Sequence, residues 1–248
     1  MKPDAGPIPG EQKNLLDPNK GAVRKYRDLF LGHVSLGYFL KYEAVTILFS
    51  SVPGALGFAL RKVFFRRLFK AVGKGVVFGR NMTLRHPRKI RIGNNVVFDD
   101  NTVLDAKGID NQGIRIADNV VIGRNTIISC KGGDIEINDF ANIGPNNTLI
   151  SESILKIGRY VFTAGQTYMV AGGNHSFDRK DIPIWHQPSI SKGGIEIEDD
   201  VWIGASVTVL DGVKIRTGCI IGAGSVVHRR LPAYTVALGN PLAIVKKR

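Results

Sequence analysis

The stretch Ile195–Val227, IEIEDDVWIGASVTVLDGVKIRTGCIIGAGSVV, carries an aliphatic residue at every sixth position: Ile197, Ile203, Val209, Ile215, Ile221 and Val227. Four residues after each of these stand Val201, Val207, Val213, Cys219, Ser225 and Leu231. An amphipathic helix repeats its apolar positions with a period of about 3.6 and a half-buried strand with a period of about 2, so a period of six reads as short strands joined by turns. Such a repeat predicts a β-helix, in which each hexapeptide forms one face of a triangular prism and points its aliphatic residue inward. Gly204, Gly218, Gly222 and Gly224 suit the corners, where backbone with φ > 0 carries no Cβ penalty for glycine.

The same start recurs upstream, at Ile157 in LKIGRYV, Ile137 in IEINDFA, Ile116 in IRIADNV, Ile92 in IRIGNNV and, more weakly, Val72. Counting from 72, the spacings are 20, 24, 21, 20, 40 and 18 residues, which predicts about seven coils. Three hexapeptides make 18 residues, so every surplus residue must leave the prism, and the intact hexads put all of the surplus at one corner. The longest excursion, HSFDRKDIPIWHQPSISKGG, covers residues 175–194.

The net charge of +13 is not spread evenly. Residues 1–91 hold 18 Lys and Arg against 5 Asp and Glu, a balance of +13, and residues 92–248 hold 16 of each. A nucleic-acid reader would carry its charge on its binding domain. Here the basic part is also the most apolar part, which favours an anionic lipid surface, contacted through residues 29–74, over nucleic acid. Cys130 and Cys219 read as packing residues in a reducing compartment. Charges at Lys2, Asp4, Glu11 and Lys13 leave no apolar h-region for a secretory signal, so the expectation is a cytoplasmic protein, peripheral at the inner face of the cytoplasmic membrane.

Four regions follow: a flexible tail over 1–20, a helical membrane-interacting segment over 21–71, the β-helix over 72–232 with its loop at 175–194, and a basic C-terminal segment over 233–248. Between Glu43 and Arg61 lie 17 uncharged residues, broken by Pro53-Gly54 and marginal for a membrane span. Over 58–70, helical spacing gathers Phe58, Phe64, Phe65, Leu68 and Phe69 on one arc and Arg66, Arg67 and Lys70 opposite, with Arg61 and Lys62 flanking the aromatic arc. That pattern predicts an amphipathic helix lying in a membrane interface; packing of the same arc against the end of the prism is the alternative.

The segments GNHSFD, DDVWIGASVTVLDGVKI, IIGAGSVV and GNPLAIVKKR resemble the hexapeptide-repeat acyltransferases, in particular the sugar O-acetyltransferases that include galactoside and maltose acetyltransferases. The N-terminal half is more loosely similar to acetyltransferases of bacterial surface-polysaccharide synthesis. The resemblance implies a left-handed prism, against the general right-handed rule for parallel crossovers. It also implies a homotrimer, acetyl-CoA as acyl donor in the groove between neighbouring prisms, and a glycan or glycolipid acceptor. The expected reaction is O-acetylation of a surface polysaccharide or its lipid-linked precursor. Acetylation of a small free sugar, another acyl transfer, or a non-catalytic scaffold role are the alternatives.

Acetyl transfer to a hydroxyl needs a base for the alcohol proton and donors for the oxyanion. Histidine suits the first task, with an unperturbed pKa of about 6.5. His175, at the mouth of the long excursion, matches the family's catalytic histidine, and Asp178 or Glu152 are candidates to orient it. The resemblance gives the backbone N–H of Ala205 as oxyanion donor. It places Trp202, Gly204, Ala205, Ala223, Gly224, His228, Arg229 and Lys246 along the coenzyme, and Asn146, Asn147, Glu152 and Trp185 on the acceptor side. No metal is expected: a zinc hydratase on the same prism needs three converging histidines, and Lys180 and Phe140 stand where partners of His175 would be.

Overall fold

The computed structural model describes residues 17–248; the tail assigned to 1–20 lies mostly outside them. Three helices come first: α1 (Ala22–Phe30), α2 (Leu36–Phe49) and α3 (Gly54–Phe64). Ser35 caps α2, its side chain accepting from the Tyr38 N–H at 3.3 Å and so satisfying one of the donors a helix start leaves open. Pro53 ahead of α3 separates the two apolar runs into two helices, as the sequence requires. Among the described residues no helix is long and apolar enough to cross a membrane.

From Ala71 the chain winds into a parallel β-solenoid with three faces. The first face stacks seven strands, from Ala71–Val72 to Lys214–Ile215. The second runs from Val77–Phe78 to Thr235–Leu238, and the third from Thr83–Arg85 to Val226–Val227. The positions read as coil starts are register partners one after another: Val72 with Ile92, Ile92 with Ile116, Ile116 with Ile137, Ile137 with Ile157, Ile157 with Ile197 and Ile197 with Ile215. Seven complete coils result, and a partial eighth begins where Leu231 bridges to Ile215. The inward residues form one buried column; Ile137, Ile157, Ile197, Ile203, Val209 and Ile215 are all at most 1% exposed.

The corners divide by chemistry. At the second edge, between the second and third faces, Asn81, Asn101, Asn125 and Asn146 all adopt positive φ and pass a hydrogen bond from each side chain to the next, at 3.4, 3.1 and 2.9 Å. Asparagine tolerates this backbone better than most residues. At the third edge, between the third face and the next coil's first, the chain makes all of its excursions. The other two edges keep four residues between strands in every coil.

The C-terminal segment is a hairpin: Thr235–Leu238 pairs antiparallel with Ala243–Lys247 through a cis Asn240-Pro241 bond.

The helices cap the first coil, and this corrects the lipid-facing arc. Phe65 and Leu68 are fully buried and Phe69 nearly so. Phe65 and Phe69 lie 5.9 and 5.6 Å from the ring of Phe78, which stacks at 5.9 Å on Phe98 one coil on. Phe64 stacks on Phe49 of α2, and only Phe58 of the arc stays exposed. Arg61, expected at the flank, is buried; its guanidinium donates to the carbonyls of Phe78, Val52 and Phe49. The open end of a β-column exposes apolar side chains, and covering them releases more free energy than leaving one aromatic arc for lipid.

Candidate active site

His175 lies on the third edge, just after the fifth coil's third strand, Tyr168–Ala171. Asn174–His175 pairs antiparallel with Ser189–Ile190, so the excursion folds back on itself as a two-stranded arm. The His175 Nδ1 lies 3.3 Å from the carbonyl oxygen of Gln187. A carbonyl only accepts, so Nδ1 is the donor of this contact, and in the neutral ring that tautomer leaves the lone pair on Nε2. The orienting partner is therefore a backbone carbonyl rather than Asp178 or Glu152. Asp178 accepts from the Ser176 hydroxyl at 3.2 Å, and Glu152 from the Ser189 hydroxyl at 3.3 Å, across the arm from His175.

Two residues missed in the sequence hold this arm in place. Gln187 is buried and ties back to Arg179, its amide donating to the Arg179 carbonyl at 2.7 Å and its oxygen accepting from the Arg179 N–H at 3.2 Å. Asp211, also buried, sits under both ends of the excursion. It accepts from the Asn174 side chain at 3.2 Å, from the Lys192 N–H, and from the Gly194 N–H at 2.9 Å. The Asp211-Gly212 dipeptide reads in the sequence as an ordinary turn; nothing local connects it to a loop 17 to 37 residues earlier.

The acceptor-side asparagines divide. Asn147 is corrected: it points into the prism, where its amide donates to Gly144, Thr163 and Ala164 and its oxygen accepts from the Thr167 N–H. Buried in the column with both amide hydrogens committed, it is out of a ligand's reach. Asn146 is exposed, but on the second edge. Trp185 sits exposed on the excursion's short helix Ile184–His186, beside the ring of His186.

Trp202 is half-exposed on the second face, in register with exposed Phe162. The two turns that follow, Gly204-Ala205-Ser206 and Gly222-Ala223-Gly224, stack at the second edge, where the Gly224 N–H donates to the Ala205 carbonyl at 2.8 Å. A Cβ on Gly204 would come within 2.7 Å of the Ala223 nitrogen, so glycine is needed for the coils to approach. Space beside Gly224 is open. His228 is exposed, and Arg229 donates to the Leu242 carbonyl at 2.9 Å, holding the hairpin that carries exposed Lys246. One chain thus places His175 on its third edge and Ala205, Ala223 and Gly224 on its second. Among the described residues, no group of three or more His, Cys, Asp or Glu is placed to hold a metal.

This architecture is a hexapeptide-repeat β-solenoid with a histidine-bearing arm. Residues 194–229 match the family described as "Bacterial transferase hexapeptide (six repeats)". The chain is 33% identical over 108 residues to the galactoside O-acetyltransferase of Lactococcus lactis, covering 41% of this chain and 47% of that protein. It is 31% identical over 120 residues to the putative lipopolysaccharide biosynthesis O-acetyl transferase WbbJ of Escherichia coli, covering 46% and 58%. The chain thus spans about half the length of these curated relatives. Among solved structures it superposes on AntD, an N-acyltransferase from Bacillus cereus in complex with dTDP and 3-hydroxybutyryl-CoA. The TM-score is 0.52 at 24% identity, over 76% of this chain and 88% of that one; that likeness bears on the fold.

Proposed function

We propose that this chain transfers the acetyl group of acetyl-CoA to a hydroxyl of a bacterial surface polysaccharide or its lipid-linked precursor. His175 acts as the general base. The observation that carries the reading is the held imidazole: with Nδ1 donating to Gln187, Nε2 is the free base at the mouth of the excursion. Nε2 takes the acceptor's hydroxyl proton as the oxygen attacks the thioester carbonyl. The oxyanion of the tetrahedral intermediate accepts from the Ala205 N–H, a donor fixed by the coil and so needing little reorganisation. Collapse expels the CoA sulfur, which takes the proton from the imidazolium, leaving the O-acetyl ester and CoA thiol.

His175 and Ala205 stand on different edges of one prism, so a site using both joins two copies. A homotrimer supplies three such sites. The exposed rings of Phe140, Tyr160, Phe162 and Trp202 support association, since they are bare on a single chain. Acetyl-CoA would lie along the small residues of the second edge, with Arg229 and Lys246 toward its phosphates. The two curated relatives, named for acetylation of a galactoside and for lipopolysaccharide synthesis, support a sugar acceptor.

The membrane surface is a different face from the aromatic arc. At helical spacing Leu36, Leu40 and Ile47 lie on the outward side of α2, and all are exposed; Leu56, Phe58 and Val63 are exposed on α3. Lys62, Arg66 and Arg67 border them, and the sequence has no Asp or Glu between Glu43 and Asp99. Glu43 lies on the same stripe of α2 between Leu40 and Ile47, half-buried and accepting from the Tyr26 hydroxyl at 2.8 Å; the border supplied by α3 and the residues after it is cationic, which suits anionic lipid.

The test of the reaction is acetyl transfer from labelled acetyl-CoA to candidate glycans. His175→Ala should lower turnover roughly 10²–10⁴-fold with the fold intact; unchanged turnover refutes the role.

A further inference from the structure

The hydrogen bonds between helices and prism show which way the cap points. Strands Val77–Phe78 and Thr83–Arg85 are the end strands of their sheets. The N–H groups of Val77 and Thr83 donate upward, to carbonyls of the second coil. The carbonyls of Phe78 and Leu84, one residue further along each pleated strand, aim off the end of the stack. They accept from the Arg61 guanidinium at 2.9 Å and the Tyr42 hydroxyl at 2.6 Å, and the Asn81 N–H donates to the Ser50 carbonyl at 2.9 Å. The helices thus satisfy the backbone that a further coil would have paired. Tyr42 and Val45 of α2 are buried in this contact, and exposed Leu36, Leu40 and Ile47 stand opposite them at helical spacing. The bare apolar face therefore looks away from the prism, along its axis.

Cap and coils form one continuous stack. Phe65 and Leu68 are fully buried, Phe69 stacks on Phe78, and Phe78 stacks on Phe98. Above them each coil pairs in parallel with the next, as far as Lys214–Ile215. The arm that carries His175 is tied to this stack at two heights. Ser189 donates to Glu152 on the fourth coil, and Asn174 and Gly194 donate to Asp211 on the sixth. His175 is thus level with the fifth coil, four steps above the first, which is about 19 Å at about 4.8 Å per step. The helix layer adds about 10 Å, and a docked apolar helix face sinks about 5–10 Å into the head-group boundary. The imidazole then stands roughly 20–25 Å above the lipid.

We propose that the solenoid is a spacer that holds acetyl transfer at a fixed height above the membrane. The acceptor is then a lipid-linked oligosaccharide modified several sugars away from its lipid, and a lipid-linked monosaccharide is out of reach. This rests on the proposed acetyl transfer and on docking through the outer helix face. A sugar ring is about as long as one coil is thick, roughly 5 Å, so the first sugar within reach is about the third or fourth from the lipid. A trimer keeps the height, because a threefold axis parallel to the prisms leaves all three caps at one end.

The height can be measured without any reaction. Cys130 and Cys219 are buried, so a thiol-directed fluorophore reports from Phe177→Cys on the arm, where Phe177 is exposed, or from Arg80→Cys on the first coil, where Arg80 is exposed. On vesicles containing phosphatidylglycerol, energy transfer to head-group dyes should place the arm label about 20 Å farther from the lipid than the first-coil label. Equal distances, or no retention on the vesicles, overturn the proposal. The acceptor is read with glycolipids of increasing sugar number in the same vesicles, against the same glycans free in solution. For anchored mono- and disaccharides kcat/KM should fall at least tenfold below that of the free sugars, and the deficit should close once the anchored chain exceeds about four sugars. Anchored disaccharides acetylated as well as free ones overturn the spacer while leaving the reaction in place. Failure to acetylate any glycan, free or anchored, overturns the reaction and this acceptor with it, whatever the measured height.

Discussion

Asp211→Asn removes charge from the point that pins both ends of the arm that carries His175. The buried carboxylate accepts three hydrogen bonds, from the Asn174 side chain and from the N–H groups of Lys192 and Gly194. An amide in its place keeps one accepting oxygen and turns an NH₂ group toward donors, whichever way it is rotated. With the oxygen on Gly194 the bonds from Asn174 and Lys192 are both lost, and with the opposite rotation only the Gly194 bond is lost, so the variant takes the second. Hydrogen bonds to charged groups contribute about 1.5–3 kcal/mol each, so the local loss is about 1.5–3 kcal/mol. Each 1.4 kcal/mol is about tenfold in an equilibrium, which lowers the population of the seated arm by up to ~10–10²-fold. The loss falls on the arm, because the ladder bonds beneath it, such as Leu210 N–H to the Val227 carbonyl at 3.0 Å, do not involve the carboxylate. Limited proteolysis within 176–193 should accelerate sharply, acetyl transfer should fall by at least tenfold, and the melting temperature of the prism should shift little. Wild-type proteolysis and turnover in the variant would refute the assignment of Asp211 as the positioning residue of His175.

Phe78→Ala opens a cavity between the cap and the first coils, where Phe65, Phe69 and Phe98 meet it. Denaturant unfolding should show a loss of about 3–5 kcal/mol, and a loss below the error of the measurement would refute the capping role. The Glu198 carboxyl is desolvated, which raises its pKa, but hydrogen bonds from Thr217, Arg216 and Lys214 outweigh that and hold it at about 2, against an ordinary 4.5. A depressed acid stabilises the fold above its unfolded pKa and loses that contribution as pH falls through the folded value. The wild type should therefore exceed Glu198→Gln in stability at pH 7 and converge with it between about pH 4.5 and 2; a gap independent of pH would contradict this. Flotation with vesicles containing phosphatidylglycerol should retain the wild type and release Leu40→Asp with Ile47→Asp, and equal retention of both would exclude the outer face of the helices as the lipid contact.

Much of this fold is legible along the chain because a β-solenoid is nearly one-dimensional: each coil contacts the coils before and after it, so the period appears directly in the sequence. That is why Val72, Ile92, Ile116, Ile137, Ile157, Ile197 and Ile215 could be read as successive coil starts and are register partners in the structure. The single edge of excursions followed from the same count, and with it the position of His175.

Tertiary structure decided what periodicity does not encode. An aromatic arc on a helix reads the same whether lipid or protein covers it, and only the open end of the prism assigns Phe65 and Phe69 to Phe78. Asn146 and Asn147 are adjacent in sequence, yet a corner turns one outward and the other into the column. The imidazole's partner is a carbonyl from the far side of a folded-back arm, and the carboxylate beneath that arm arrives from a later coil. Such contacts join residues whose spacing belongs to no repeat, so the chain has to close on itself before they exist.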